Sequence, residues 1–114
     1  MEGLFLRVYL HEDQHCHGQP AWEWLLMRAN KLGIRGGSAF RAMAGFGRHH
    51  RMHEDKIFQL VSTQTVEIEF IVTGDEARLL TDEIEKEKLH VFVAQVPAHF
   101  GILNPDRKDP PGSG

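Results

Sequence analysis

The chain has 114 residues, a formal net charge of −3 with neutral histidines, and 41% hydrophobic residues. This length fits one domain with one modest core, and the weak negative charge excludes a broad polyanion-binding surface. One cysteine excludes an internal disulfide framework, and no apolar run approaches the ~20 residues that span a bilayer. The first residues lack a basic, cleavable leader, so we expect a cytoplasmic protein.

The first third of the chain predicts a strand, a loop and a helix. LFLRVYL at residues 4–10 alternates between two largely apolar faces, which is typical of a central strand. Residues 11–19 are polar and predict a loop. Between Pro20 and Gly33 a helix is predicted, with Trp24 at an edge or an interface. Its core-facing stripe is predicted to be Trp22, Leu25, Leu26, Ala29 and Leu32.

The remaining elements are three extended segments, a helix and a last strand. Residues 34–47 predict a strand of small residues, residues 56–62 read as extended, and TVEIEFIVT at residues 65–73 alternates most clearly. Thr73 and Glu76 have the spacing of a capping box and open a helix that ends near Lys88. Its core face is predicted to be Ala77, Leu80 and Ile84. Residues 89–97 predict the last strand.

The order of these elements predicts an α+β, ferredoxin-like βαββαβ domain over residues 1–103, followed by a disordered tail over 104–114. Such a domain has a four-stranded antiparallel sheet with two helices on one face. The other sheet face then lacks a helix, and we expect self-association to cover it. The residues predicted on this uncovered face are Phe5, Tyr9, Ala39, Met43 and Ile71.

A glycine-bearing, basic segment is the first candidate site. Backbone N–H groups near glycines can approach an anion, and arginines add charge-assisted hydrogen bonds, which suits a phosphate group. The alternative is a bend with solvated arginines beyond it. Arg41 either pairs with Glu67 or Glu69 across the hairpin or points at a ligand in a subunit cleft. The candidate residues for this anion site are Arg41, Gly45, Phe46, Gly47, Arg48 and Arg51.

Two histidine clusters are the second candidate site. Imidazole and thiolate groups bind Zn, Cu or Ni, but the spacing fits no established zinc-site pattern. The alternative is two exposed polar loops whose histidines titrate near neutral pH. The candidate ligands are His11, His15, Cys16, His17, His49, His50 and His53.

Catalysis and nucleic-acid binding find little support. Ser38 and Ser62 lack an elbow motif, and Cys16 has no visible third partner for nucleophilic catalysis. Basic residues alternate with acidic ones, and no ribonucleoprotein aromatic signature is present. We therefore expect a protein that is not an enzyme and does not bind nucleic acid.

The segment HGQPAWEWLLMRANKLGIRGGSAFRAMAGFGRHHRMHEDK, at residues 17–56, resembles the signature region of the PII-like bacterial family catalogued as domain of unknown function 190. The resemblance extends from residue 4 to about residue 101. That family is similar to the nitrogen-regulatory PII proteins and the CutA divalent-cation tolerance proteins, which are trimers of ferredoxin-like subunits.

The resemblance implies a homotrimer with inward-facing sheets and a regulatory role without catalysis. In PII proteins, nucleotides bind between subunits at the base of a long loop, which here corresponds to Gly45, Phe46 and Gly47. PII proteins also carry a basic, glycine-containing loop after the second helix, whereas this chain has EKEKL at residues 85–89, without glycine. The usual PII phosphate pattern is not matched there.

Together these observations predict a PII-like signalling protein. It would bind a small anionic effector, an adenine nucleotide, in the inter-subunit cleft. The 47–56 loop would then engage a membrane transporter or a regulated enzyme. Two alternatives remain open: a CutA-like protein that binds divalent metal through its histidine loops, and an oligomeric adaptor without a ligand.

Overall fold

The structure is a computed structural model that describes residues 1–44 and 65–108. Within these ranges the chain forms six strands and two helices. In chain order they are β1 (Glu2–His11), β2 (His15–Cys16), β3 (Gln19–Pro20), α1 (Ala21–Lys31), β4 (Ser38–Arg41), β5 (Thr65–Val72), α2 (Gly74–Lys86) and β6 (Phe92–His99). The extended segment predicted over 56–62 and the predicted disorder of 109–114 lie outside the described residues.

Four strands form one antiparallel sheet in the order β4-β5-β1-β6. The central strand β1 pairs with β5 on one side and β6 on the other, so that Leu6 lies opposite both Phe70 and Gln95. Both helices bury their apolar stripes in the same core, against one face of this sheet. The fold is therefore the α+β, ferredoxin-like arrangement that the order of elements predicted. None of the described helices is long and apolar enough to span a bilayer.

The core lies between the helices and alternate residues of the central strands. The alternating pattern of β1 and β5 correctly identified their buried face, and α2 buries the three predicted residues Ala77, Leu80 and Ile84. The largest fully buried side chains are Leu6, Val8, Leu25, Ile68, Phe70, Val72 and Leu80. Burial of this apolar surface is the main stabilising contribution to the fold.

A capping box marks the start of α2, and a residue with positive φ follows each of the two helices. Thr73 Oγ1 accepts a hydrogen bond from the N–H of Glu76 at 3.2 Å, and the Glu76 carboxylate accepts one from the N–H of Thr73 at 2.8 Å. This is the predicted capping box at the start of α2. Each helix ends on a residue in the left-handed region, Gly33 (φ 87°) after α1 and Lys88 (φ 56°) after α2.

The two tryptophans of α1 exchange the roles that the sequence predicted. Trp24 is buried in the core, whereas Trp22 is half-buried and packs against the margin of the core. The buried stripe is Ala21, Trp24, Leu25 and Ala29, which shares Leu25 and Ala29 with the predicted one. Periodicity alone does not distinguish these two neighbouring stripes, since both carry apolar residues.

The faces of β4 were also assigned wrongly. Ala39 lies opposite Ile68 and packs against the core, whereas Phe40 lies opposite Glu67 on the uncovered face. Met43 lies beyond the end of β4 and is almost fully exposed. A strand of four residues carries too few alternations to indicate which of its side chains face the helices.

The polar segment over residues 11–19, predicted as a loop, contains a small hairpin. Strands β2 and β3 pair through Cys16 opposite Gln19, and the turn between them places His17 (φ 53°) and Gly18 (φ 78°) in the left-handed region. Two consecutive residues with positive φ are typical of a tight type I′ hairpin turn. This turn fixes the direction in which Cys16 and His17 leave the backbone.

Candidate functional site

Arg41 is the one predicted nucleotide-binding residue within the described ranges. Gly45, Phe46, Gly47, Arg48 and Arg51 lie outside them, so their grouping stays a prediction. Arg41 ends β4 immediately before this segment, opposite Val66 of β5. A guanidinium in this position lies at the base of the predicted loop.

The Arg41 guanidinium pairs with the carboxylate of Glu12, which follows β1. The other carboxylate oxygen of Glu12 is buried and has no hydrogen-bond partner among the described residues. Arg41 does not make the predicted ion pair with Glu67 or Glu69, because those carboxylates contact Arg7 on the other face of the sheet. No sequence pattern pointed to Glu12, which lies 29 positions from Arg41.

A small pocket of about 160 Å³ lies beside Arg41. Trp22, Ala39, Phe40, Arg41 and Val66 line it, so one cation lies next to two aromatic rings. Ligand pockets usually measure about 300–1,000 Å³. The pocket that the described residues form is therefore smaller than a usual ligand site.

A second pocket of about 600 Å³ lies between α2 and β6, at the opposite edge of the sheet. Its lining is mainly apolar, and its polar side chains are Thr81, Glu85 and Gln95. Among the described residues that line it, none is a lysine or arginine, and its one charged group is a carboxylate. This pocket has the size for a small ligand but not the charge for a phosphate.

The uncovered sheet face carries half-exposed apolar side chains around a charged centre. Arg7 Nε lies 3.4 Å from Glu67 Oε1 and 3.5 Å from Glu69 Oε1. Burial, then the neighbouring Glu69, raises the pKa of Glu67, and Arg7 only partly offsets this. The predicted residues Phe5, Tyr9 and Ile71 lie on this face. The apolar residues that sequence analysis missed there are Phe40, Phe92 and Val96.

The β2–β3 hairpin places the candidate metal ligands of residues 11–17 in two separate groups. His11 and His15 are exposed, and both rings contact Asp13. The His11 ring contacts the Asp13 carboxylate, and the His15 ring contacts the backbone carbonyl oxygen of Asp13. Cys16 and His17 instead approach the end of α2, where they meet Glu87. His49, His50 and His53 lie outside the described residues.

Cys16, His17 and Glu87 form a compact cluster whose donor atoms all lie within 4.8 Å of one another. His17 Nε2 is 2.8 Å from Glu87 Oε1, and the Cys16 thiol donates a weak hydrogen bond to the same oxygen over 3.7 Å. Burial, and then the Glu87 carboxylate, raises the pKa of the Cys16 thiol. Sequence analysis missed Glu87, because local spacing carries no signal for a residue 71 positions from Cys16.

Comparisons with known proteins agree with the resemblance seen in the sequence. The profile of the family DUF190, described as an uncharacterised ACR, matches residues 3–98. A UPF0166 protein from Aquifex aeolicus (strain VF5) is 35% identical over 80 residues, which cover 70% of this chain and 76% of the relative.

One similar solved structure comes from Thermus thermophilus and carries the provisional description of a PII-like signalling protein. The two chains are 16% identical and superpose with a TM-score of 0.53, over 85% of this chain and 89% of the other. At this level of identity the likeness supports the shared fold alone.

Proposed function

The chain belongs to the DUF190 family, and on that premise we propose that it is a PII-like regulatory protein without catalytic activity. In this proposal it forms a homotrimer and binds a small anionic effector, an adenine nucleotide, in the cleft between subunits. Effector binding orders the 47–56 loop, which then engages a membrane transporter or a regulated enzyme.

The observation that carries this proposal is the incomplete pocket beside Arg41. A cation and two aromatic side chains lie together at the end of β4, directly before the segment with Gly45, Gly47, Arg48 and Arg51. Aromatic rings can stack on a base, and guanidinium groups bind phosphate through paired hydrogen bonds. Because this pocket is smaller than a usual ligand site, the proposal requires the loop or a second subunit to supply the remaining contacts.

The uncovered sheet face supports self-association. Phe40, Ile71, Phe92 and Val96 are about half exposed in the single chain, and exposed apolar patches of this kind mark interaction surfaces. Arg7, Glu67 and Glu69 give the face charges of both signs, so a second copy of the face can offer complementary partners.

Calorimetric titration of the metal-stripped protein with ATP, ADP, AMP and cyclic nucleotides tests the effector. We expect one of them to bind, and we expect Arg41→Ala and the double variant Arg48→Ala/Arg51→Ala to lower its affinity about tenfold or more, because each loses charge-assisted hydrogen bonds. Arg78→Ala, on α2, is the matched control because it removes the same charge from a residue that does not line the pocket. Unchanged affinity in both binding-site variants would contradict the assigned site.

Glu12 offers a variant with the opposite expected effect. Glu12→Gln removes the negative charge that now pairs with Arg41. If Arg41 binds the effector, this variant binds it more tightly, because the effector no longer competes with a carboxylate. Equal affinities of Glu12→Gln and the unmodified protein would instead assign Arg41 a structural ion pair only.

A further inference from the structure

We propose that Cys16, His17 and Glu87 bind one divalent cation of the zinc class, which links the β2–β3 hairpin to the end of α2. The proposal is independent of nucleotide binding. It rests on the geometry of three side chains, on the elements that hold them in place, and on the chemistry of their donor atoms.

One separation between the donor atoms is close to that of a tetrahedral site, and all three donor atoms lie within 4.8 Å of one another. Zinc–sulfur and zinc–oxygen bonds of about 2.3 and 2.1 Å place the two donor atoms about 3.6 Å apart in a tetrahedron. Cys16 Sγ and Glu87 Oε1 are 3.7 Å apart. His17 Nε2 and Glu87 Oε1 are 2.8 Å apart, as hydrogen-bonded partners, and need to separate by only a fraction of an ångström to share an ion.

The backbone holds the three ligands in position before an ion arrives. Cys16 is paired in the β2–β3 hairpin, and His17 occupies the tight turn with φ 53°. The His17 ring also packs on Trp24, with ring centroids 5.9 Å apart. Glu87 is the C-cap residue of α2, where its N–H bonds to the carbonyl oxygen of Glu83. Ligands that are already positioned lose little conformational entropy on binding.

The donor set selects the kind of cation. Sulfur, imidazole nitrogen and carboxylate oxygen together suit Zn²⁺ and similar transition metals, whereas Mg²⁺ and Ca²⁺ prefer oxygen ligands. On binding, the thiol releases its proton to solvent, and the resulting thiolate and the carboxylate neutralise the two charges of the ion. The His17 side chain is 59% exposed, which leaves a route for the ion and a position for water.

Titration of the reduced 114-residue chain with Co²⁺ tests the site, because Cys16 is its single cysteine. A thiolate-to-cobalt absorption band therefore reports only Co²⁺ that is bound to Cys16, even though the chain has eight histidines. We expect the band to saturate at one Co²⁺ per chain and to disappear when Zn²⁺ is added.

Four variants connect the band to the cluster. Cys16→Ser should abolish the band, whereas His17→Asn and Glu87→Gln should each lower Co²⁺ affinity at least about tenfold. Asparagine tolerates the left-handed backbone of position 17, and glutamine keeps the shape of Glu87. His15→Asn is the matched control: it changes an exposed histidine of the same hairpin, and we expect it to leave both band and affinity unchanged. Circular dichroism of the metal-free variants verifies their folding.

Two results would overturn the proposal. The first is the absence of a thiolate band at millimolar Co²⁺ in the folded, reduced protein. The second is a band whose affinity is unaffected by both His17→Asn and Glu87→Gln, since Cys16 would then bind the ion with other ligands. Nucleotides are absent from every step, so neither result depends on the regulatory proposal.

Discussion

The two faces of the sheet use the same strands but differ in what covers them. On the helix side, Leu6, Ile68 and Phe70 are at most 1% exposed. On the other side, Phe40, Ile71 and Val96 are about half exposed although they are equally apolar. The difference marks the second face as a candidate interaction surface, because a solvent-facing sheet normally carries polar side chains.

The two sides of the sheet also differ in how their charged side chains are paired. Near the helices, Glu83 of α2 accepts a hydrogen bond from Arg28 of α1 at 2.8 Å, and this contact lowers the pKa of Glu83. On the uncovered face one arginine serves two carboxylates, and the pKa of Glu67 is raised. Arg28 and Glu83 thus form a matched ion pair, whereas the cluster on the uncovered face has two carboxylates for one arginine.

The largest expected effect is on the free energy of unfolding, whose dependence on protein concentration should differ between variants of the two faces. Phe70→Ala should lower the free energy of unfolding by about 3–5 kcal/mol at every concentration, because it opens a cavity in the core. Phe40→Ala should lower the free energy of unfolding by less, and by an amount that changes with protein concentration, because it removes contacts between copies. Urea unfolding at several concentrations measures both. An equal, concentration-independent cost for the two variants would contradict the distinction.

A pair of neighbouring glycines tests how tightly the covered side is packed. A Cβ atom on Gly37 would lie 2.5 Å from Cε1 of the buried Phe70, whereas a Cβ on Gly36 would meet no atom of the described residues within 4 Å. Gly37→Ala should therefore destabilise the protein by about 1–3 kcal/mol through overpacking. Gly36→Ala should be neutral or slightly stabilising. Thermal unfolding of the two variants checks this prediction. Equal midpoints would show that the segment before β4 shifts freely enough to accommodate the added methyl group.

The smallest expected effect is a pH dependence of opposite sign for two carboxylates. Glu83, with a lowered pKa in the folded state, adds stability above the ordinary glutamate pKa of about 4.3, and this is lost as the pH falls through its folded pKa. Glu67, with a raised pKa, binds its proton more tightly when folded, so its contribution is lost as the pH rises from about 4.3 through its folded pKa.

Glu83→Gln should therefore weaken the rise of the free energy of unfolding with pH. Glu67→Gln should remove the part of that free energy that is lost as the pH rises. Urea unfolding of both variants and the unmodified protein across the acidic range measures the two slopes. If both variants changed the slope of unfolding free energy against pH in the same direction, the pKa values of the two carboxylates would not be shifted in opposite directions.

Sequence patterns predicted the fold well where they extend over many residues. The eight residues of β5 carry enough alternation to identify their buried side, and Thr73 with Glu76 identified the start of α2 because capping is a local interaction. The strand β4 is too short for its faces to be assigned, and Trp22 and Trp24 both fit a helical stripe. The stripe that is buried depends on how α1 packs, which local pattern does not encode.

The candidate sites were less predictable, because their geometry depends on contacts between distant segments. Glu12 approaches Arg41, and Glu87 approaches Cys16, only after the sheet and helices have packed. Sequence analysis identified the donor chemistry of Cys16 and His17 but also included His11 and His15, whose rings contact Asp13 instead. The predicted site from Gly45 to Arg51 lies outside the described residues and stays a prediction.

The most direct test of the uncovered face is the mass of the protein in solution, measured by light scattering for three forms. We predict three times the chain mass of 13.0 kDa for the unmodified protein and the single-chain mass for Ile71→Glu, which places a charge on the uncovered face. Leu79→Glu, at an equally exposed position on α2, should keep the full mass. A single-chain mass for the unmodified protein, or equal masses for the two variants, would contradict an interface on this face.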